Sequence, residues 1–310
     1  MSVFQVTILG TSAAIPTNSR RPSSQVVTIN DRHLLVDCGE GTQMEMLRRK
    51  IRYSRLDAMF ISHLHGDHVL GIAGLLTTLS LYERNFPLKL FAPAGLKEIL
   101  DVTFSHTQSY LGYELEFYPL EAFEPGDTIY ETGNYEVKLL PLEHRIFCRG
   151  FLFQETNKRP RFDFYKAKAL EIPNNYFRLL KLGNVITLDD GRVISPAEVL
   201  SDPDSVMSYA YCSDTRYSEP LVEFIRGAQV LYHEATFLNN LASRAAETYH
   251  STTGQAASIA KQAGVKKLYI GHYSARYLDL EPMLEEAQQV FPDTELAKEG
   301  LMIDLRKIPV

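Results

Sequence analysis

A chain of 310 residues, 45% hydrophobic and 23% charged, is long enough to bury a large core in one big domain or two of ordinary size. Its formal charge of −6 argues against a surface coated with basic groups for polyanions, while leaving room for a local basic patch. No run of about 18 uninterrupted apolar residues occurs, and Cys38, Cys148 and Cys212 are widely spaced without a CxxC pair. The expectation is a cytoplasmic protein with reduced thiols and no membrane association.

Taken in chain order, MSVFQVTILG has no basic residues ahead of its apolar ones, so it reads as a first strand over 3–9 rather than a leader. Short runs rich in Val, Ile, Phe and Tyr predict further strands over 25–29, 34–37, 58–62, 88–91, 137–142, 207–211, 229–232 and 267–270. Segments of helical period lie between them: TQMEMLRRKI, AGLKEILDVTF, EPLVEFIRG, and HSTTGQAASIAKQAG with Ser and Thr before it and Gly264 as its stop. Strands mixed with helices throughout predict an α/β protein.

The stretch from about 155 to 204 breaks this rhythm, with one short helical pattern at 164–170, a hairpin turn at Asp189, Asp190 and Gly191, and few apolar residues of core type. From Thr156 to Lys181 it carries seven basic residues (Lys158, Arg159, Arg161, Lys166, Lys168, Arg178, Lys181) against two acidic ones, in a chain that is acidic overall. It reads either as a solvated surface insertion or as an arm that contacts phosphates. A second basic run, RRKIRYSR at 48–55, reads as the solvated face of a helix end.

FISHLHGDHVLGIAG concentrates His63, His65, Asp67 and His68 where an apolar strand gives way to glycine. Residues two apart in extended chain point to one side, so His63 and His65 leave the strand together, and Asp67 and His68 open the next helix. Imidazole nitrogen and carboxylate oxygen suit a borderline cation such as Zn²⁺. Four ligands from one loop rarely complete a two-metal site. Three further candidates, His144, Asp214 and His272, stand at the carboxyl ends of predicted strands, where open α/β sheets usually place their sites.

SHLHGDH resembles the signature of metallo-β-lactamase-fold hydrolases. With ILGTSAAIP and DCGEGTQ ahead of it, and YCSDT, HEATF, YHSTT and GHYSARY behind it, the chain resembles the ribonuclease Z family, which removes the 3′ trailer from precursor tRNA. The resemblance runs from Ile8 to Tyr277. It implies a four-layer αββα sandwich, a single catalytic domain over 1–310 with an inserted basic arm at about 155–204. It also implies two Zn²⁺ ions, with Mn²⁺ or Fe²⁺ as alternatives: His63, His65 and His144 on one, Asp67, His68 and His272 on the other, Asp214 between them. Asp67 is then also a general base towards water, and His250, oriented by Glu234, the acid that protonates the leaving 3′-oxygen. The products are a 3′-hydroxyl on the tRNA and a 5′-phosphate on the trailer.

Ser274 and Arg276 are expected at the scissile or a neighbouring phosphate. His33, His106 and His233 are left as structural. The family's PxKxRN loop corresponds here to PTNSRRPSS, where Arg20 is kept and the lysine and asparagine are not; the arm lacks a Gly-Pro element and reads IPNNYFRLLKLG. A homodimer that grips tRNA through Lys158, Arg159, Arg161, Lys166 and Lys168 follows from the resemblance only, and no DNA partner is expected. The rival readings are a small-molecule phosphodiesterase or arylsulfatase-like hydrolase of the same fold, and a non-catalytic RNA-binding module with structural zinc.

Overall fold

The computed structural model describes residues 3–156, 160–201 and 206–309, with Arg161 and Ser201 as backbone alone. Alternating apolar strands assemble into two seven-stranded sheets. One has the order Met302–Asp304, Phe4–Gly10, Ser24–Ile29, Arg32–Val36, Leu56–Phe60, Leu88–Ala92, Leu115–Pro119. The other runs Thr294–Leu296, Lys267–Gly271, Val230–Glu234, Ser208–Cys212, Arg149–Glu155, Tyr135–Pro141, Thr128–Glu131.

Period-two alternation gives each strand two faces. On the inner faces the sheets meet through aromatic rings: Phe60 of the first lies 5.5 Å, centroid to centroid, from both Phe151 and Phe153 of the second. On the outer face of the first sheet, Leu9, Val26, Leu35 and Met59 pack with Leu75, Leu76 and Leu79 of helix Ile72–Leu81 and with Leu96 and Leu100 of helix Gly95–Thr107. The second sheet presents Ala210, Leu231, Leu268 and Ile270 to helix Thr253–Ala263 and to Met283 and Ala287 of helix Glu281–Gln288. Each of the larger apolar side chains so buried stabilises by roughly 1.5–3 kcal/mol. The layers are those of an αββα sandwich.

Helix Thr253–Ala263 begins at a capping box between Thr252 and Gln255 and stops at left-handed Gly264 (φ 63°), as its sequence predicts. Strands Ser208–Cys212, Val230–Glu234 and Lys267–Gly271 run parallel, as do Arg32–Val36, Leu56–Phe60 and Leu88–Ala92. Within each set the carboxyl ends therefore open at one edge, and the loops that leave those ends carry the chemistry.

The chain divides into two compact units, one of Met1–Glu131, Glu136–Gln154 and Met207–Val310, the other of Thr132–Tyr135 and Glu155–Val206. In the smaller unit, helix Phe164–Ala169 is capped by Asp163, which accepts from the amides of Tyr165 and Lys166 at 3.0 Å. Strands Ile186–Thr187 and Val193–Ile194 form the hairpin expected around Asp189, Asp190 and Gly191, with Gly191 at φ 86°. Few core residues were expected here. The structure instead gives the unit a cluster of its own: Ala167, Ile172, Leu180, Ile186, Leu188, Ile194 and Val199 are all buried. Each short element turns only one or two side chains inward, too few to register as a period. Among the described residues no helix is long and apolar enough to cross a membrane.

Candidate metal centre

His63 and His65 leave strand Leu56–Phe60 in extended chain, and the single turn Gly66–Val69 carries Asp67 and His68. His144, Asp214 and His272 follow strands Tyr135–Pro141, Ser208–Cys212 and Lys267–Gly271 by three, two and one residues. The fold brings all seven together in two groups. In the first, His65 Nδ1 is 3.1 Å from both His63 Nε2 and His144 Nε2, while Asp214 Oδ2 is 3.5 Å from His63 Nε2 and 3.8 Å from His144 Nε2. In the second, His68 Nε2, His272 Nε2 and Asp67 Oδ2 lie 3.4–3.5 Å apart. Asp214 Oδ1 completes that group, 3.1 Å from His272 and 3.3 Å from His68. One carboxylate thus turns an oxygen to each group.

These spacings suit a cation. A tetrahedral ion with ligand bonds of about 2.0–2.1 Å has ligand-to-ligand edges of about 3.3 Å. Burial, the largest influence on each, pushes His63 and His65 below the ordinary imidazole range and His144 down to about 4, so these three are neutral, the form that binds metal. Burial alone would raise Asp214 and Asp67. The surrounding imidazoles outweigh it and hold both below the usual carboxylate range. Burial alone would lower His68, but the Asp214, Asp67 and Asp37 carboxylates raise it well above the ordinary imidazole range, a sign of how much negative charge converges where a divalent cation would sit.

A second layer aims the rings. Asp37, fully buried directly after strand Arg32–Val36, lies 2.7 Å from His68 Nδ1 and accepts from the Ser62 amide at 2.7 Å, the Ser62 hydroxyl at 2.9 Å and the Tyr211 hydroxyl at 2.6 Å. His144 Nδ1 is 2.9 Å from the Tyr249 carbonyl, and His272 Nδ1 is 3.0 Å from Thr236 Oγ1. Such partners fix tautomer and orientation. Ala14, Asp37, Tyr249 and His272 have φ between 53° and 61°, a conformation costly for residues with a side chain, and all four touch this centre. Sequence alone assigns no role to Asp37 or Thr236, although each sits inside a motif of the family resemblance, DCGEGTQ and HEATF.

His250 follows left-handed Tyr249, and its ring lies 5.2 Å from that of His144 and 5.5 Å from that of His272. Its Nδ1 is 2.8 Å from Oε1 of Glu234, the buried last residue of strand Val230–Glu234. Burial alone would lower His250; the Glu234 carboxylate reverses this and raises it to about 9. Glu234 is held in turn by the amides of Thr215 and Thr236, at 3.1 and 2.9 Å.

A cleft of about 470 Å³ opens over the centre, lined by Asp67, Asp214, His250 and His272 together with Ser274, Arg276, Phe237, Leu70, Arg145 and Arg244. Ser274 and Arg276 thus line the cleft, with Arg276 Nε donating to Ser274 Oγ at 3.0 Å. Arg20 does not. It is buried, donating to the carbonyls of Tyr277 at 2.9 Å and Ser274 at 3.4 Å, so it holds the loop after His272 instead of facing solvent as an RNA contact must. Lys166 and Lys168 are exposed on their helix; Lys158 and Arg159, and the side chain of Arg161, lie outside the described residues. His33, His106 and His233 are not among the clustered ligands.

A family model described as "Anti-Pycsar protein Apyc1" matches residues 4–159, just over half of the chain. The chain is 41% identical to a ribonuclease Z of Bacteroides fragilis (strain YCH46) over 310 residues, covering 98% of this chain and 100% of that one. Its backbone is similar to that of human tRNase Z, short form, with a TM-score of 0.70 and 25% identity over 99% of this chain and all of the other. It is also similar to a metallo-beta-lactamase fold protein of Bacillus subtilis, with a TM-score of 0.67 and 19% identity over 97% and 98% of the two chains.

Proposed function

The chain belongs to the ribonuclease Z family, and from that premise we propose how its residues divide the work of a tRNA 3′-processing endoribonuclease. The observation that carries the reading is the pair of ligand groups sharing Asp214, with His250 and Glu234 beside them. His63, His65 and His144 would hold one ion, Asp67, His68 and His272 the other, with Asp214 between. Two Zn²⁺ suit the nitrogen-rich set; Mn²⁺ or Fe²⁺ is the alternative. When bound, such ions supply Lewis acidity, acidifying water and neutralising charge that builds up at phosphorus.

The rest is done by side chains. Asp67 Oδ2 faces both the second ligand group and the cleft, and accepts from the Ala14 amide at 2.7 Å, so a proton released by the attacking water has a fixed carboxylate to meet. His250, kept protonated by Glu234, donates to the departing 3′-oxygen, leaving a 3′-hydroxyl on the tRNA and a 5′-phosphate on the trailer. Ser274 and Arg276 orient the phosphate. Glu155–Val206, with Lys166 and Lys168 exposed, serves as the arm that holds the body of the tRNA, in a homodimer working in the cytoplasm without DNA or membrane partners.

The metal-loaded protein is tested with a precursor tRNA bearing a short 3′ trailer. Cleavage beyond the discriminator base, with the stated ends, is the expected result. An intact precursor alongside rapid hydrolysis of a small phosphodiester would favour the small-molecule reading instead.

A further inference from the structure

Three arginines line the cleft, and they come from three separate segments: Arg145 follows the ligand His144, Arg244 lies on helix Ala242–Thr248, and Arg276 lies beyond the ligand His272. One phosphodiester carries one negative charge, which cations held by the ligand groups would already answer. Three further guanidiniums exceed what a single phosphate needs. Local carboxylates do not neutralise them. Glu143, the nearest acid in sequence to Arg145, is already engaged by Arg216 at 2.6 Å and by the Ser218 hydroxyl at 2.8 Å, and Arg145 has no carboxylate partner among the described residues. Arg244 meets Glu247 at 3.5 Å with both side chains exposed, a contact of little strength. Arg276 donates to a hydroxyl and lies 5.0 Å over the Phe237 ring. The exposed Leu70 adds apolar surface on which a base face can lie.

We propose that Arg145 and Arg244 hold the phosphates on either side of the scissile one, so that the cleft itself selects a polynucleotide strand over a small phosphodiester, in addition to any grip by the arm. The proposal rests on the ribonuclease reading above. It assigns to these two residues a specificity role in ground-state binding, distinct from the proton transfers of Asp67 and His250.

The test compares two substrates of the metal-loaded protein: a dinucleoside monophosphate, which holds only the scissile phosphate, and a tetraribonucleotide with the same central step and a phosphate on each side. The wild-type protein should prefer the tetranucleotide in kcat/KM. Arg145→Ala and Arg244→Ala should each reduce that preference about tenfold, through KM, as expected for loss of a charge-assisted hydrogen bond, with Lys at either position restoring part of it. Metal content measured on each variant gives the control. Equal losses on both substrates, a fall in kcat alone, or an unaltered preference would overturn the assignment. If the wild-type protein cuts neither RNA, the ribonuclease reading fails by itself, and the arginines are still decided by equilibrium binding of the same two molecules: a wild-type preference for the tetranucleotide that both Ala variants lose supports the proposal, and a preference that is absent or retained overturns it.

Discussion

The metal centre and the small unit Glu155–Val206 are both rich in ionisable side chains, yet they are built in opposite ways. At the centre three of the ligand rings are each held by a second group behind them: Asp37 behind His68, Thr236 behind His272, the Tyr249 carbonyl behind His144. In the small unit Lys166 and Lys168 stand exposed on a six-residue helix whose only inward residue is Ala167. Position matters to the ångström in the first case. In the second, charge near the right place is enough, because exposed charges act through solvent over roughly a Debye length of 8–10 Å.

If that contrast is correct, substitutions should separate the two regions by the size and kind of their effects. The largest is expected from Asp214→Ala, which removes an oxygen from both ligand groups: bound metal measured by atomic absorption should fall by at least one ion per chain, with cleavage lost. His250→Ala should leave bound metal in place and lower kcat by roughly 10²–10⁴, the range of a lost general acid. An equal fall in RNA affinity would remove His250 from proton transfer. Asp37→Asn, which touches no substrate, should weaken metal affinity about 10–100-fold as read by chelator competition. An unaltered affinity would make Asp37 a folding residue only. The smallest effect on turnover is expected from Lys166→Ala combined with Lys168→Ala: binding of precursor tRNA should weaken mainly at low salt, and its logarithmic salt slope should flatten by up to about 2. A loss that does not vary with salt would break the comparison.

The same contrast explains what was legible in the sequence. The strands expected at 3–9, 58–62 and 267–270 appear as Phe4–Gly10, Leu56–Phe60 and Lys267–Gly271, because their apolar runs are clean and turn signals bound them. The seven candidate ligands lie together because residue type and strand-end position both point to them. Strand Arg149–Glu155 was not foreseen: RGFLFQE has charged ends, and its inward Phe151 and Phe153 become meaningful only opposite Phe60. Leu115–Pro119, half-buried throughout and ending in proline, gave no alternation to read. Asp37 looked like a strand terminus because three of the groups it holds, Ser62, His68 and Tyr211, are 25, 31 and 174 residues away. Arg20 looked like an RNA contact because sequence shows charge and not burial. Its guanidinium faces the carbonyls of residues 274 and 277, which no local pattern announces.

The loop that carries His272 is tied to the other end of the chain. Tyr273 and Ser274 pair with Ser12 and Ala13, the Tyr273 amide donates to the Thr11 carbonyl, and the Thr11 amide and hydroxyl are held by Glu299. Contacts spanning some 260–290 residues form late, since the loop they close must first be synthesised and then ordered. On the ribosome, a nascent chain has His63, His65, Asp67 and His68 long before it has the residues that finish their sites. The candidate site therefore stands on a seam of the chain: the segment that carries His272 and the segment whose Ala14 amide meets Asp67 are held by contacts between the first fifteen residues and those beyond 270.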